Sequence, residues 1–218
     1  MKFIFKKKLC IGAALLCLAV CSFFTGCTSQ ITLELKKDGS VDVIFDGSAG
    51  KAFASLINAT TGNTAQSDSV IFDTKEIEYE MAGNGFSNVK AVAQNGANLS
   101  VSMTDKNGKS TLFSSGVVST KDGKLTVALT AQKLKSFYTK ADNQTVMFLD
   151  MLLAPVFNDE VMSEEEYLEV LASFYGEEIA DEIKNADFRI TIKNPDGSQT
   201  IQKLSLTKLL TLNETIRF

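Results

Sequence analysis

Alternating apolar and polar positions recur along the chain in short runs that are paired across tight turns. Residues 31–35 alternate as Ile-Thr-Leu-Glu-Leu, and a second alternating run follows Asp38-Gly39. Asx-Gly pairs accept the positive φ angles that tight hairpin turns require. We therefore predict eight strands in four hairpins, which pair residues 31–35 with 41–45, 89–93 with 99–103, 111–118 with 125–129, and 188–192 with 200–206.

Wider apolar spacings predict helices between these hairpins. The clearest helix spans residues 163–184, where Ser163 and Glu166 form a capping box and Gly176 is expected to kink the helix. Its apolar stripe is formed by Leu168, Leu171, Tyr175, Ile179 and Ile183. Other helices are predicted at residues 49–59, 74–81, 131–157 and 206–212, of which 131–157 is expected to break near Asp142-Asn143 and at Pro155.

The order of these elements predicts one α+β domain over residues 31–218. It has an antiparallel sheet of about four hairpins covered by helices, with a helical pair inserted before the last hairpin. Residues 215–218 are expected to add an edge strand. The alternation along each strand indicates that one face of the sheet is packed and the other is wet or covered by a helix.

The first 26 residues have the organisation of a secretory signal. Four lysines precede an apolar run that is too short to cross a bilayer, and the run ends at Phe24-Thr25-Gly26-Cys27. This ending resembles the lipobox of bacterial lipoproteins, with Phe24 where that family usually has leucine. The resemblance implies that signal peptidase II removes residues 1–26 and that Cys27 carries a diacylglycerol. An ordinary signal peptide and an uncleaved anchor are the alternatives.

Lipidation of Cys27 implies a protein anchored to a membrane of the bacterial cell envelope, with residues 27–30 as a short tether. The following hairpin, Leu33-x-Leu35-x-x-Asp38-Gly39-Ser40-Val41, is similar to the opening hairpin of LppM-type lipoproteins. That second resemblance is short, and it implies no catalytic residue.

Composition changes the picture mainly by what it lacks. The chain has no histidine and no tryptophan, and after residues 1–26 are removed Cys27 is its only cysteine. A Ser-His-Asp triad, a Cys-His dyad and the common zinc or haem ligand sets are therefore excluded. We expect a non-enzyme without cofactor or metal, although carboxylate, Ser-Lys and hard-cation chemistries stay open.

Charge is concentrated in one region. Loss of residues 1–26 removes four lysines and changes the net charge from −4 to −8, while residues 159–187 alone carry −10. Such acidity argues against a nucleic-acid partner. The segment is interpreted either as a solvated helix face or as a docking face for a basic envelope protein. The residues proposed for that acidic face are Glu164, Glu165, Glu169, Glu177, Glu178 and Asp181.

Residues 146–157 are apolar around the whole helix, which is typical of a buried helix. The alternative is an apolar surface or pocket for a partner, a membrane or a hydrophobic ligand, formed by Met147, Phe148, Asp150, Met151 and Phe157. Asp150 is expected to be a buried carboxylate, either bonded near a helix end or functionally important.

One segment and one recurring pattern resemble known catalytic or binding motifs only weakly. Residues 47–51 lie between a strand and a helix, as a phosphate-binding loop does, but Ala52 replaces the Ser or Thr such loops need. Ser-x-x-Lys patterns begin at Ser48, Ser87 and Ser205, which is close to chance for this composition.

We therefore expect a non-catalytic, membrane-anchored protein-interaction or assembly module. The alternative is a carrier of a hydrophobic ligand or lipid, and an envelope hydrolase is the third hypothesis.

Overall fold

The computed structural model describes residues 29–61, 72–94, 98–138, 150, 152–156, 158 and 160–218. Within them lie nine strands and eight helices. The strands are β1 (Ser29–Leu35), β2 (Val41–Ser48), β3 (Ser87–Gln94), β4 (Asn98–Asp105), β5 (Val118–Lys121), β6 (Lys124–Leu129), β7 (Asp187–Lys193), β8 (Gln199–Ser205) and β9 (Ile216–Arg217). The helices are α1 (Lys51–Thr61), α2 (Thr74–Gly83), α3 (Thr111–Ser114), α4 (Ala131–Tyr138), α5 (152–156), α6 (Glu164–Tyr175), α7 (Glu177–Lys184) and α8 (Leu206–Thr211).

The strands form a sheet of six in the order β3-β4-β2-β1-β7-β8 and a sheet of three in the order β5-β6-β9. All neighbours in the larger sheet are antiparallel except β1 and β7, which run parallel. The α+β class is confirmed. The four predicted hairpins form, but the third belongs to the separate small sheet, where β9 supplies the expected strand near the C-terminus.

The prediction of a strand over residues 111–118 is wrong except at Val118. Residues 111–114 form one turn of helix, in which the Ser114 N–H donates to the Ser110 carbonyl at 2.9 Å. The strand begins only at Val118. Apolar and β-branched residues such as Thr111 and Leu112 fit a strand pattern, but Leu112 is buried from a helical turn instead.

One face of the six-stranded sheet carries the core. Val43, Phe45 and Val101 on its central strands are fully buried, and Leu33 and Ile192 are almost so. Complete burial of such side chains stabilises a fold by about 1.5–3 kcal/mol each. The opposite face is partly exposed, as the alternation predicted. It combines polar residues with exposed Ile44 and Ile201, and Ser100 Oγ and Gln30 Nε2 both donate to the Asp46 carboxylate.

The helical pair before the last hairpin follows the sequence prediction closely. Ser163 and Glu166 form the capping box at the start of α6. The helix is interrupted at Gly176, whose φ of 97° separates α6 from α7. Tyr167 is 2 % exposed, and its hydroxyl donates to the Leu152 carbonyl at 2.9 Å, which joins α5 to α6. Burial raises the pKa of this phenol well above its ordinary value, so it stays neutral.

The structure describes two parts of the helix predicted over residues 131–157, α4 at residues 131–138 and α5 at residues 152–156. The break expected near Asp142-Asn143 lies outside the described residues. Pro155 does not end the helix, since α5 continues to residue 156 and the Asn158 N–H still donates to the Ala154 carbonyl.

The first strand starts two residues earlier than predicted. Ser29 is completely buried and is registered with Phe188 of β7. The tether expected over residues 27–30 is therefore shorter, because Ser29 and Gln30 already belong to the sheet. Within the part of the chain that the structure describes, no helix has both the length and the apolar character needed to cross a bilayer.

Candidate functional site

The acidic helical hairpin, defined as α6, Gly176 and α7, is the most unusual surface of the molecule. The six residues proposed for the acidic face, Glu164, Glu165, Glu169, Glu177, Glu178 and Asp181, are all exposed. The inner side of the hairpin is fixed to the core by Leu171, Ile179 and Ile183, which are at most 5 % exposed. The hairpin is therefore a rigid element that presents carboxylates to solvent.

Two apolar side chains on this hairpin face solvent, and the sequence interpretation missed both. Phe174 is 76 % exposed and Val170 is 41 % exposed. They are four positions apart and therefore neighbours on one face of α6, and the exposed Glu166 lies on the same face four positions before Val170. A helical projection of residues 164–175 would have placed Val170 off the stripe that contains Tyr167 and Leu171, but not Phe174, which is seven positions from Tyr167 and three from Leu171.

A large exposed aromatic residue among carboxylates offers an apolar contact within a charged surface. Phenylalanine on a helix exposed to water gains nothing in stability, whereas aromatic side chains dominate the energy of interfaces. We call Val170, Phe174 and the paired Glu177-Glu178 the acidic-aromatic patch.

Two carboxylates of this region have internal roles instead. Glu164 accepts hydrogen bonds from the hydroxyls of Ser205 and Thr207, which attaches the start of α6 to the start of α8. Glu182 accepts from the backbone N–H groups of Ala52 and Phe53, both at 3.0 Å, and so caps α1. The acidity of residues 159–187 therefore serves the fold in part.

The Glu182 cap argues against the hypothesis that residues 47–51 form a phosphate-binding loop. Backbone N–H groups at a helix start are the groups that would hold a phosphate. In this protein two of them are already bonded to a carboxylate of the same chain, which also repels an anion. The segment is a capped helix start.

Replacing Glu182 with alanine tests this assignment. We expect the free energy of unfolding to fall by about 1–2 kcal/mol, because two N–H groups of α1 lose a charged acceptor. Chemical denaturation measures the change, and the amides of Ala52 and Phe53 should exchange hydrogen faster. Asp181→Asn, one residue away and exposed, is the matched control. Equal losses in the two variants would contradict a capping role.

In the Ser-x-x-Lys patterns that begin at Ser87 and Ser205, the serine hydroxyl bonds to a backbone group. Ser205 Oγ caps α8 by accepting from the backbone N–H of Lys208, whose ammonium pairs with Glu214 at 2.6 Å. Ser87 Oγ donates to the Thr104 carbonyl. Both serines therefore have structural roles.

The apolar run 146–157 contributes to the core in its described part. Leu152, Leu153 and Val156 are at most 2 % exposed. Asp150 is exposed, so the expectation of a buried carboxylate is wrong: the chain turns this position outward although its neighbours are apolar. Met147, Phe148, Met151 and Phe157 lie outside the described residues.

A shallow depression of about 380 Å³ lies where β2, β3 and β4 meet. It is lined mainly by polar residues, among them Asp46, Ser48, Gln94 and Asn98. Its lining provides hydrogen-bonding groups and no apolar cavity of the kind a lipid would fill.

Among the described residues no group of three or more metal-ligating side chains comes together. Comparison of the chain with known protein families, with curated proteins and with solved structures gave no match. The function must therefore be argued from the chain's own surfaces.

Proposed function

We propose that the protein is a membrane-anchored envelope lipoprotein that acts as a non-catalytic interaction module, with the acidic-aromatic patch as its docking surface. The single observation that carries the proposal is the exposure of Phe174 on a rigid acidic hairpin. The anchor is the diacylglycerol implied for Cys27, whose two acyl chains give stable membrane attachment.

The chemistry of the patch defines the partner. Carboxylates at its edge attract a basic surface and guide its approach, while the aromatic ring in the middle provides the apolar contact that holds it. A fitting partner is an envelope protein that presents lysine or arginine side chains around a pocket for one aromatic ring.

Site-specific photo-crosslinking in the bacterium tests the proposal. A photoreactive amino acid replaces Phe174 in one strain and Tyr79 of α2 in another, and these positions are matched at 76 % and 74 % exposure. We expect a discrete crosslinked adduct from position 174 and none from position 79. Immunoblotting measures the adducts, and mass spectrometry identifies the partner.

A charge variant supplies the second arm. Changing Glu177 and Glu178 together to glutamine should reduce the adduct by about tenfold, because the basic partner loses two charges next to Phe174 and a loss of about 1.4 kcal/mol in binding is a factor of ten. Raised salt should weaken it in the same direction. The proposal would be refuted if the amount of adduct at position 174 were unchanged by both the charge variant and raised salt, or if positions 174 and 79 gave equal amounts of adduct.

A further inference from the structure

The six-stranded sheet has two ends of different character, and the strand registers fix which residues lie at each. Ser29, Ser48 and Asn98 lie at one end, together with the pair Asp187 and Ser205. We call this the anchor end. The opposite end, which we call the turn end, carries the hairpin turns 36–40 and 194–198 and the loop 106–110 that leads into α3.

The first described residue enters the fold at the anchor end and cannot move away from it. Ser29 is completely buried and lies on β1, between β2 and β7 in the middle of the sheet. Only Thr28 separates it from Cys27. Two residues of extended chain span at most about 7 Å, so the lipid-bearing residue must stay within that distance of the anchor end.

Three helix ends also lie beside the anchor end. The carboxylate of Glu182, near the end of α7, caps α1 just after Ser48, and Glu164 at the start of α6 is bonded to Ser205. The starts of α1 and α6 and the end of α7 therefore gather beside the anchor end. Lys51 and Lys184 at these helix ends are exposed and suit the phosphates of lipid headgroups.

From this geometry we propose that the anchor end of the sheet rests on the phospholipid headgroups, with Lys51 and Lys184 facing them, and that the turn end points away from the membrane. The inference rests on the lipid anchor of the proposed function. It adds a fixed orientation, because a tether this short does not let the domain turn over.

The orientation places the acidic-aromatic patch. α6 begins at the anchor end, and Phe174 lies ten residues further along it, which is about 15 Å along the helix axis. The docking surface is thereby set back along the helix from the end that contacts lipid.

Dyes at two matched lysines test the orientation. Because the lipid occupies the thiol of Cys27, the variants Lys184→Cys and Lys37→Cys each carry one free cysteine in the lipidated protein. Lys184 lies by the anchor end and Lys37 in a turn at the other end, and both are exposed. Each variant is purified from membranes, labelled with a fluorescent maleimide and placed in phosphatidylcholine–phosphatidylglycerol vesicles that contain lipids spin-labelled on the headgroup.

We expect the dye at position 184 to lose at least about three times more emission to the spin labels than the dye at position 37, since the length of β1 separates the two ends by roughly 20 Å. Vesicle flotation is measured on the same samples. Protein that floats but shows equal quenching at both positions, or stronger quenching at position 37, overturns the orientation and leaves the anchor intact. Protein that does not float overturns the anchor and the orientation together.

Discussion

Replacing Asp105 with alanine is expected to lower the free energy of unfolding by about 2–4 kcal/mol, because several backbone N–H groups lose one acceptor together. The carboxylate ends β4, is 1 % exposed, and accepts from the N–H groups of Asn107, Gly108 and Ser110 at 2.7–2.9 Å. It thereby holds the loop that leads into α3. Urea or thermal denaturation measures the loss.

The matched control is Asp38→Ala, which removes a similar aspartate turn where water can replace the carboxylate. Asp38 accepts from the N–H and the hydroxyl of Ser40, but in an exposed hairpin turn. We expect little change in stability there. Equal losses in the free energy of unfolding for the two variants would contradict a special role of the buried Asp105 hydrogen bonds.

The same carboxylate gives the stability a pH dependence. Burial opposes ionisation, but the hydrogen bonds from the N–H groups of Asn107, Ser110 and Gly108 outweigh it, so the pKa of Asp105 lies below its usual value. The stabilisation is therefore complete above the unfolded pKa of about 4 and is lost as the pH falls through the lower folded pKa. The stability gap between the wild type and Asp105→Asn should narrow from about pH 5 to about pH 2.

Gly47→Ala is expected to lower the free energy of unfolding by about 2–3 kcal/mol through overpacking. A Cβ atom at this position would lie 2.7 Å from Phe45 Cζ and 3.3 Å from Ser29 Oγ. Phe45 is fully buried, so its ring would have to shift within the packed core to make room. Chemical denaturation measures the loss of stability.

Gly83→Ala is the control for this substitution. Gly83 is the last residue of α2 and a Cβ atom there meets no atom within 4 Å. Alanine should be neutral or stabilise by up to about 1 kcal/mol, because it favours the helix over the unfolded chain. A loss of stability at position 83 as large as at position 47 would show that glycine flexibility, not the contact with Phe45, matters.

Local patterns were sufficient to predict the elements whose determinants are close in sequence. The Asx-Gly turns marked the hairpins, the Ser163–Glu166 capping box marked the start of α6, and Gly176 marked the break that follows. Each depends on a few adjacent residues, so each could be found without knowledge of the rest of the fold.

Other features depend on contacts between distant parts of the chain. The pairing of β2 with β4, with β3 at the sheet edge, follows from how the faces pack and not from any turn. The helical turn at residues 111–114 follows the Asp105 loop, which apolar periodicity does not reveal. The roles of Glu164 and Glu182 were hidden in a run of similar carboxylates, and the exposure of Phe174 becomes clear only once Tyr167 is known to fill the core.

The parallel pairing of β1 with β7 also has a consequence for the time course of assembly. β1 precedes the other described strands along the chain, yet β7, one of its two neighbours in the sheet, comes only after five intervening strands. Pairings between such distant segments form slowly. Until β7 has folded back onto it, β1 has an open edge, so a chain anchored at Cys27 as we propose would be held at the membrane before its larger sheet closes.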